Sequence, residues 1–350
     1  MKTLEQQLDS EVSTQVQPSP TLFFQTMHAY QRTAALKTAV ELGLFSAIPG
    51  SSGTVTELAT RLNVPERGVR ALCDYLVLMG FLTKCLDEME YRYGLTPDSA
   101  MFLDKKSPRY VGSATVFMGS PIVMDSFRDF TAVVRAGGPL PYKRNIDEEI
   151  PLWVDFARGM APIMYPVAEE MAKLLPENGE AKILDIAAGH GLFGISAARR
   201  NPKAKIVALD FAPVLEVAKE NAARFGVLDR YTLLPGSALE VSFGTRFNAV
   251  LLTNVLHHWD RATNLSLLRK VYEALSPGGQ VVVVEFAPND DRVSPPIPAS
   301  FVLNMFANTP GGDAYTVSEN LEMLREAGFT DCESHPLPPS PQTAIVGTKK

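Results

Sequence analysis

Cysteine is scarce in these 350 residues: Cys73, Cys85 and Cys332 are odd in number and far apart. That fits neither a disulfide framework nor a zinc cluster, so no metal is expected and a reducing cytoplasm is the simplest compartment. Positive charge is also short, with 33 Lys and Arg against 39 Asp and Glu for a net charge of −6. No long basic run offsets that balance, which excludes a general polyanion binder and leaves no nucleic acid partner expected. Nowhere do 18 apolar residues follow one another, so neither a spanning helix nor a membrane partner is expected. Residues 1–20 are polar and carry Glu5, Asp9 and Glu11 ahead of any apolar run, without the apolar core of a signal peptide. What is present is ordinary globular composition, 46% hydrophobic and 21% charged, in a chain long enough for about two domains.

Apolar residues recur at helical spacing through 21–102, the first expected domain. Thr54 opens a helix, Asn63-Val-Pro65 turns the chain, and a second helix starts at Pro65 or Glu66. Two short strands follow, joined by the acidic turn Asp87-Glu-Met-Glu90, and together these elements make a winged helix. Residues 1–100 hold 8 Lys or Arg against 11 Asp or Glu, and Val69, Leu72, Leu76 and Val77 make the second helix too apolar to read a DNA groove. A buried or dimer-forming role is the better reading. The apolar residues of 21–82 exceed what one small helical domain buries, which predicts a homodimer.

Residues 103–180 read as a bridge, with helical segments around 111–118, 126–134 and 151–175. From 181 to 350, strands at 182–186, 205–210, 231–235, 247–253 and 279–286 alternate with helices near 191–200, 212–225, 261–275 and 317–327. Two further strands are expected near 329–335 and 342–348. The fold class is therefore α/β, a doubly wound Rossmann-like sheet behind a mainly helical winged-helix domain. Ligands of such sheets bind at the carboxyl ends of the strands, where Asp185, Asp210, Ser237, Asn254 and Glu285 fall.

The first of those strands breaks into Gly189-His-Gly-Leu-Phe-Gly194, a glycine-rich cradle for a nucleotide. The same letters are the dinucleotide fingerprint, and Asp210 suits the ribose of either an NAD-type or an adenosyl ligand. Asp185 separates the two: a negative side chain at the floor of the turn suits a sulfonium or ammonium and repels a pyrophosphate. That points to S-adenosylmethionine. His190, between the glycines, is expected to be exposed or to make a backbone contact.

The motifs Asp185-Ile-Ala-Ala-Gly-His-Gly191, Asp210, Leu234-Pro-Gly-Ser-Ala238, Asn254-Val-Leu-His-His-Trp259 and Leu275-Ser-Pro-Gly-Gly279 through Glu285 resemble class I S-adenosylmethionine-dependent methyltransferases. The chain is most similar to the caffeate and hydroxyindole O-methyltransferases, which also carry an N-terminal winged-helix dimerisation domain. The resemblance implies that Gly189 and Gly191 approach the cofactor, with Asp210 on its ribose and Phe211 on its adenine. Gly236, Ser237 and Asn254 complete that side, and Ser237 stands where the family usually has an Asp. Phe156 and Met160 match a segment near the methylthio group. By the same resemblance His257 is the general base and Glu285 orients it, while His258 replaces a usual Asp. Adjacent side chains diverge, so His258 is expected to pack or to cap the next helix. The family's second acid aligns with Ala314, leaving either Asp313 as a substitute or a site that works with one acid. The implied activity is methylation of a small aromatic hydroxyl-bearing metabolite. Methylation at carbon, nitrogen or sulfur, an NAD-dependent oxidoreductase and a ligand-sensing regulator are the alternatives.

Overall fold

The structure, a computed structural model, describes residues 18–50, 52–140 and 146–350. Of the polar stretch 1–20, read above as lacking a signal sequence, residues 1–17 lie outside the described residues. The chain divides into two compact units, with the division between Ser99 and Ala100.

In the first unit, helix Val55–Leu62 starts on a reciprocal cap: Thr54 Oγ1 accepts from the Glu57 amide and the Thr54 amide donates to Glu57 Oε2. Asn63 ends it at φ 54°, and Pro65 presets the start of helix Glu66–Leu78. Val69, Cys73 and Leu76 recur along one face of that helix and are buried. Strands β1 (Gly53–Thr54), β2 (Leu82–Asp87) and β3 (Glu90–Leu95) pair antiparallel in the order β1-β3-β2. The hairpin was legible in the sequence; two-residue β1 is too short to leave a periodic signal. Leu22, Phe23, Phe24, Met27 and Tyr30, on helices Thr21–Met27 and Ala29–Leu42, are each more than half exposed.

The second unit holds a seven-stranded sheet: β4 (Ala181–Ile186), β5 (Ala204–Asp210), β6 (Tyr231–Pro235), β7 (Phe247–Thr253), β8 (Leu275–Glu285), β9 (Thr330–Pro336) and β10 (Thr343–Thr348). Its order is β6-β5-β4-β7-β8-β10-β9, parallel through the first five strands and antiparallel at β10 and β9. The chain leaves β4 toward β5 and returns on its other side at β7, opening a crevice at their carboxyl ends. Alternation divides the core. Ile183, Ile206, Leu251 and Val282 meet helices Leu192–Arg200 and Ala212–Arg224 on one face, and Leu184, Val250, Leu252 and Val283 meet Arg261–Ala274 and Val317–Glu326 on the other.

Two bridge expectations change. The segment read as one helix over 126–134 is Pro121–Asp125 and Phe130–Ala136, because Asp129 accepts from the Ala132 amide and starts a new helix. The longer helix runs over Ile146–Ala172 with Pro151, Pro162 and Pro166 inside it, and ends early as the Lys173 and Leu174 amides tighten onto carbonyls three residues back.

Candidate active site

A cavity of about 570 Å³ opens at the carboxyl ends of β4, β5 and β7. Gly189, Asp210, Phe211, Gly236, Ser237 and Asn254 line it, so six of the expected cofactor residues share one wall. Asp210 organises that wall: Oδ2 accepts from the Gly189 amide at 2.8 Å and Oδ1 from the Phe211 amide at 2.7 Å. Each carboxylate oxygen keeps a further lone pair for a ribose hydroxyl. Burial raises the Asp210 pKa while these two amides hold it down. Gly189 sits at φ 56°, and the one atom within 4 Å of a Cβ built there is the Ala187 carbonyl oxygen at 3.9 Å. That open side lets a ligand lie on the backbone, so the wall fits an adenosyl group.

Other expected contacts lie elsewhere. Gly191, also left-handed at φ 75°, is filled in by protein: a Cβ there would stand 2.8 Å from the Tyr231 hydroxyl and 2.9 Å from Ala218 Cβ. Its Cβ direction is closed by packing, and Gly191 is not among the residues lining the cavity. Met160 packs against the core, and Met164, one turn on, lines the cavity beside Phe156. Trp153, three residues before Phe156, joins them, a residue that i, i+3 spacing on the helix could have flagged. Asn254 stands at φ 55° with its Oδ1 bonded to buried Gln342, a partner from the far strand β10 region that no local pattern announces. His190 is buried and accepts from the Leu192 amide at 3.2 Å, and burial lowers its pKa to about 4, so it is a neutral backbone contact.

Asp185 corrects the sequence reading most. Its side chain shares the parity of Ile183 and so points toward helix Leu192–Arg200, beneath the turn, where Oδ2 accepts from the Gly194 amide at 3.0 Å. It is fully buried, it is not among the cavity-lining residues, and Oδ1 has no partner. Burial raises its pKa to about 7, with the Gly194 amide opposing. The folded carboxyl therefore holds its proton across a range in which the unfolded one, near 3.8, has lost it. Stability contributed by the protonated form is lost as pH rises through that interval. Thermal melts of the cofactor-free protein should show Asp185→Asn gaining on wild type from pH 5 to pH 8; a constant difference would contradict this.

At the end of β8, Glu285 is buried and holds three donors. Oε1 accepts from the Val255 and Leu256 amides at 2.9 and 2.8 Å, and Oε2 faces His257 Nδ1 at 2.6 Å. A carboxylate has no proton to give, so Nδ1 is the donor and Nε2 carries the free lone pair. The His257 ring is 6% exposed and meets Phe301 edge-on at 4.9 Å. The two ring centres are 4.4 Å apart, and it is His258, expected to pack or to cap the next helix, that lines the cavity, while His257 is not among the lining residues. The cap on helix Arg261–Ala274 comes from Asp260, which accepts from the Thr263 amide. Burial and its neighbour His257 lower the His258 pKa to about 3. Asp313, the candidate second acid, pairs with Arg292 at 3.1 Å, and Ala314 is buried.

A doubly wound sheet of this order, with a ribose-ready acid and an open glycine turn at its switch point, defines a class I S-adenosylmethionine-dependent methyltransferase. Residues 137–330 match the O-methyltransferase domain and residues 24–105 match the O-methyltransferase dimerisation domain. The chain belongs to this O-methyltransferase family. It is 28% identical to 3-hydroxy-5-methyl-1-naphthoate 3-O-methyltransferase of Streptomyces sahachiroi, over 89% of this chain and 90% of that one. Its fold matches the crystal structure of a candidate O-methyltransferase from Nostoc punctiforme with TM-score 0.89 and 48% identity, covering 95% and 99% of the two chains. Human N-acetylserotonin methyltransferase, solved in complex with S-adenosylmethionine, matches with TM-score 0.85 at 21% identity over 96% and 99%. Relatives also include an L-tyrosine C(3)-methyltransferase and an N,N-dimethyltransferase, both from Streptomyces.

Proposed function

We propose that this enzyme methylates a hydroxyl on a planar aromatic metabolite, with His257 as general base and Glu285 as its positioning partner. The observation that carries the reading is the 2.6 Å contact between His257 Nδ1 and Glu285 Oε2 beside an aromatic-walled cavity. Asp210, Gly189, Phe211, Gly236, Ser237, Asn254 and Phe156 would hold S-adenosylmethionine, with Met164 in the place expected for Met160. When bound, S-adenosylmethionine supplies an electrophilic methyl group. The chain's own residues supply alignment and proton removal. A phenol with pKa about 10 and a histidine near 6.5 differ by roughly 3.5 units, so complete prior deprotonation costs on the order of 5 kcal/mol. His257 therefore takes the proton through Nε2 as the transfer proceeds, and Glu285 beside Nδ1 holds the positive charge that results. His258, near 3, is too weak a base for that step.

Glu285→Gln should lower kcat by roughly 10- to 100-fold, the worth of one hydrogen bond to a charged group. Affinity for S-adenosylhomocysteine, measured by calorimetry, should hold. Loss of cofactor affinity with kcat unchanged would contradict the assignment.

Residues 1–102 are assigned as the dimerisation domain, 103–180 as a bridge that contributes Phe156 and Met164 beside the cofactor and Trp153 to the acceptor side, and 181–350 as the catalytic domain. The five exposed apolar side chains between Leu22 and Tyr30 support a homodimer. Double replacement Phe23→Ser and Phe24→Ser should shift the protein toward monomer in light-scattering chromatography; an unchanged dimer would place the interface elsewhere. Three free cysteines support a reducing, cytoplasmic setting, and among the described residues no helix is long and apolar enough to cross a membrane.

A further inference from the structure

Two side-chain amides meet behind the cofactor wall. Asn254 follows β7, with its backbone amide donating to the Val284 carbonyl of β8 at 2.8 Å. Gln342 stands one residue before β10, where that strand pairs with the end of β8, and is 1% exposed. Its Nε2 donates to Asn254 Oδ1. Ser340 fixes which way the Gln342 amide lies: Ser340 Oγ accepts from the Gln342 backbone amide at 3.1 Å and gives its proton to Gln342 Oε1 at 3.3 Å, which leaves Nε2 as the end that meets Asn254. The oxygen of Asn254 is thereby occupied, and its Nδ2 faces the Met164 sulfur, a weak acceptor, at 3.9 Å. Both residues line the cavity. An amide nitrogen carries two protons and the sulfur takes at most one, so at least one donor is left for a ligand.

We propose that Gln342 is a positioning residue that sets the polarity of the cofactor pocket: by holding Asn254 Oδ1 it turns the Asn254 Nδ2 donors to the carboxylate of the cofactor's amino-acid tail. The inference rests on the assignment of Asn254 to the cofactor wall. Asp210 at the end of β5 suits the ribose, and β4 separates β5 from β7, so a cofactor whose adenosine lies along Phe211 and Ser237 carries its tail toward β7. That tail has a carboxylate, which accepts, and an ammonium, which donates. Donors turned to the cavity suit the first and reject the second. Among the described residues no Lys or Arg lines the cavity, so no cationic side chain competes for the carboxylate. Without Gln342, turning Nδ2 to the tail leaves Oδ1 with no donor, and an acceptor shut away from water without one costs affinity.

Calorimetry on the full chain compares S-adenosylhomocysteine with its decarboxylated analogue, which keeps the ammonium on a propyl tail. Wild type should bind S-adenosylhomocysteine roughly tenfold more tightly, the worth of one hydrogen bond to a charged group. Gln342→Met, close in volume and unable to donate, should cut that preference roughly three- to tenfold by weakening S-adenosylhomocysteine alone, whereas loss of a merely structural contact weakens both ligands alike. Asn254→Asp keeps one oxygen for Gln342 and turns a second, charged oxygen to the tail, so the preference should reverse. This second variant leaves Gln342 in place and decides the matter even if the first does not fold. Equal affinities in wild type, equal losses of both ligands or no loss in Gln342→Met, or a preference that survives Asn254→Asp overturns the proposal and leaves the cofactor assignment standing. Failure of both ligands to bind wild type overturns the two together.

Discussion

Replacing His257 with alanine should lower methyl transfer by roughly 10²- to 10⁴-fold, the range expected when a general base is removed. Cofactor affinity should barely change, because His257 is held by Glu285 and Phe301 and lies outside the wall built on Asp210. His258→Ala should cost less in turnover, since a ring whose pKa lies near 3 accepts a proton poorly. Steady-state kinetics with the native acceptor and calorimetry with S-adenosylhomocysteine separate the two roles. If His258→Ala abolishes turnover and His257→Ala leaves it intact, the base is the second histidine; if neither matters, positioning alone carries the reaction.

The second large effect concerns the cofactor. Asp210→Ala should weaken S-adenosylhomocysteine binding by roughly 10²- to 10³-fold, because ribose hydroxyls lose a charged acceptor worth about 1.5–3 kcal/mol per hydrogen bond. The Gly189 and Phe211 amides lose their partner in the same step, so the glycine turn and the adenine side loosen together. Asp210→Asn keeps an oxygen for one of those amides and should fall between. Unchanged affinity in Asp210→Ala would remove this wall from the cofactor site.

The sheet was legible because its strands are apolar runs closed by acids and glycines, signals that survive in one dimension. Asp210 at the end of β5 belongs to that class. Asp185 does not: one step of strand parity decides whether its carboxylate meets the cavity or the helix beneath, and the sequence alone does not show which face carries the ligand. Met160 and Met164 lie on adjacent turns of one helix, so periodicity groups them and packing separates them. The histidine pair failed in another way. His258 was expected to pack or to cap the next helix, yet the three-residue turn Leu256–His258 sets it in the cavity lining and gives the cap to Asp260. Gln342 reaches Asn254 from 88 residues away in the chain, a pairing set by sheet order.

The most direct test of oxygen methylation supplies S-adenosylmethionine labelled with ¹³C at its methyl carbon to the enzyme and a panel of aromatic hydroxyl compounds. The product is then examined by carbon and proton correlation spectroscopy. The predicted result is a labelled methyl ether, its carbon coupled through oxygen to an aromatic carbon and absent with His257→Ala. A labelled methyl bonded directly to ring carbon or to nitrogen would contradict the assignment of this site to a phenolic oxygen.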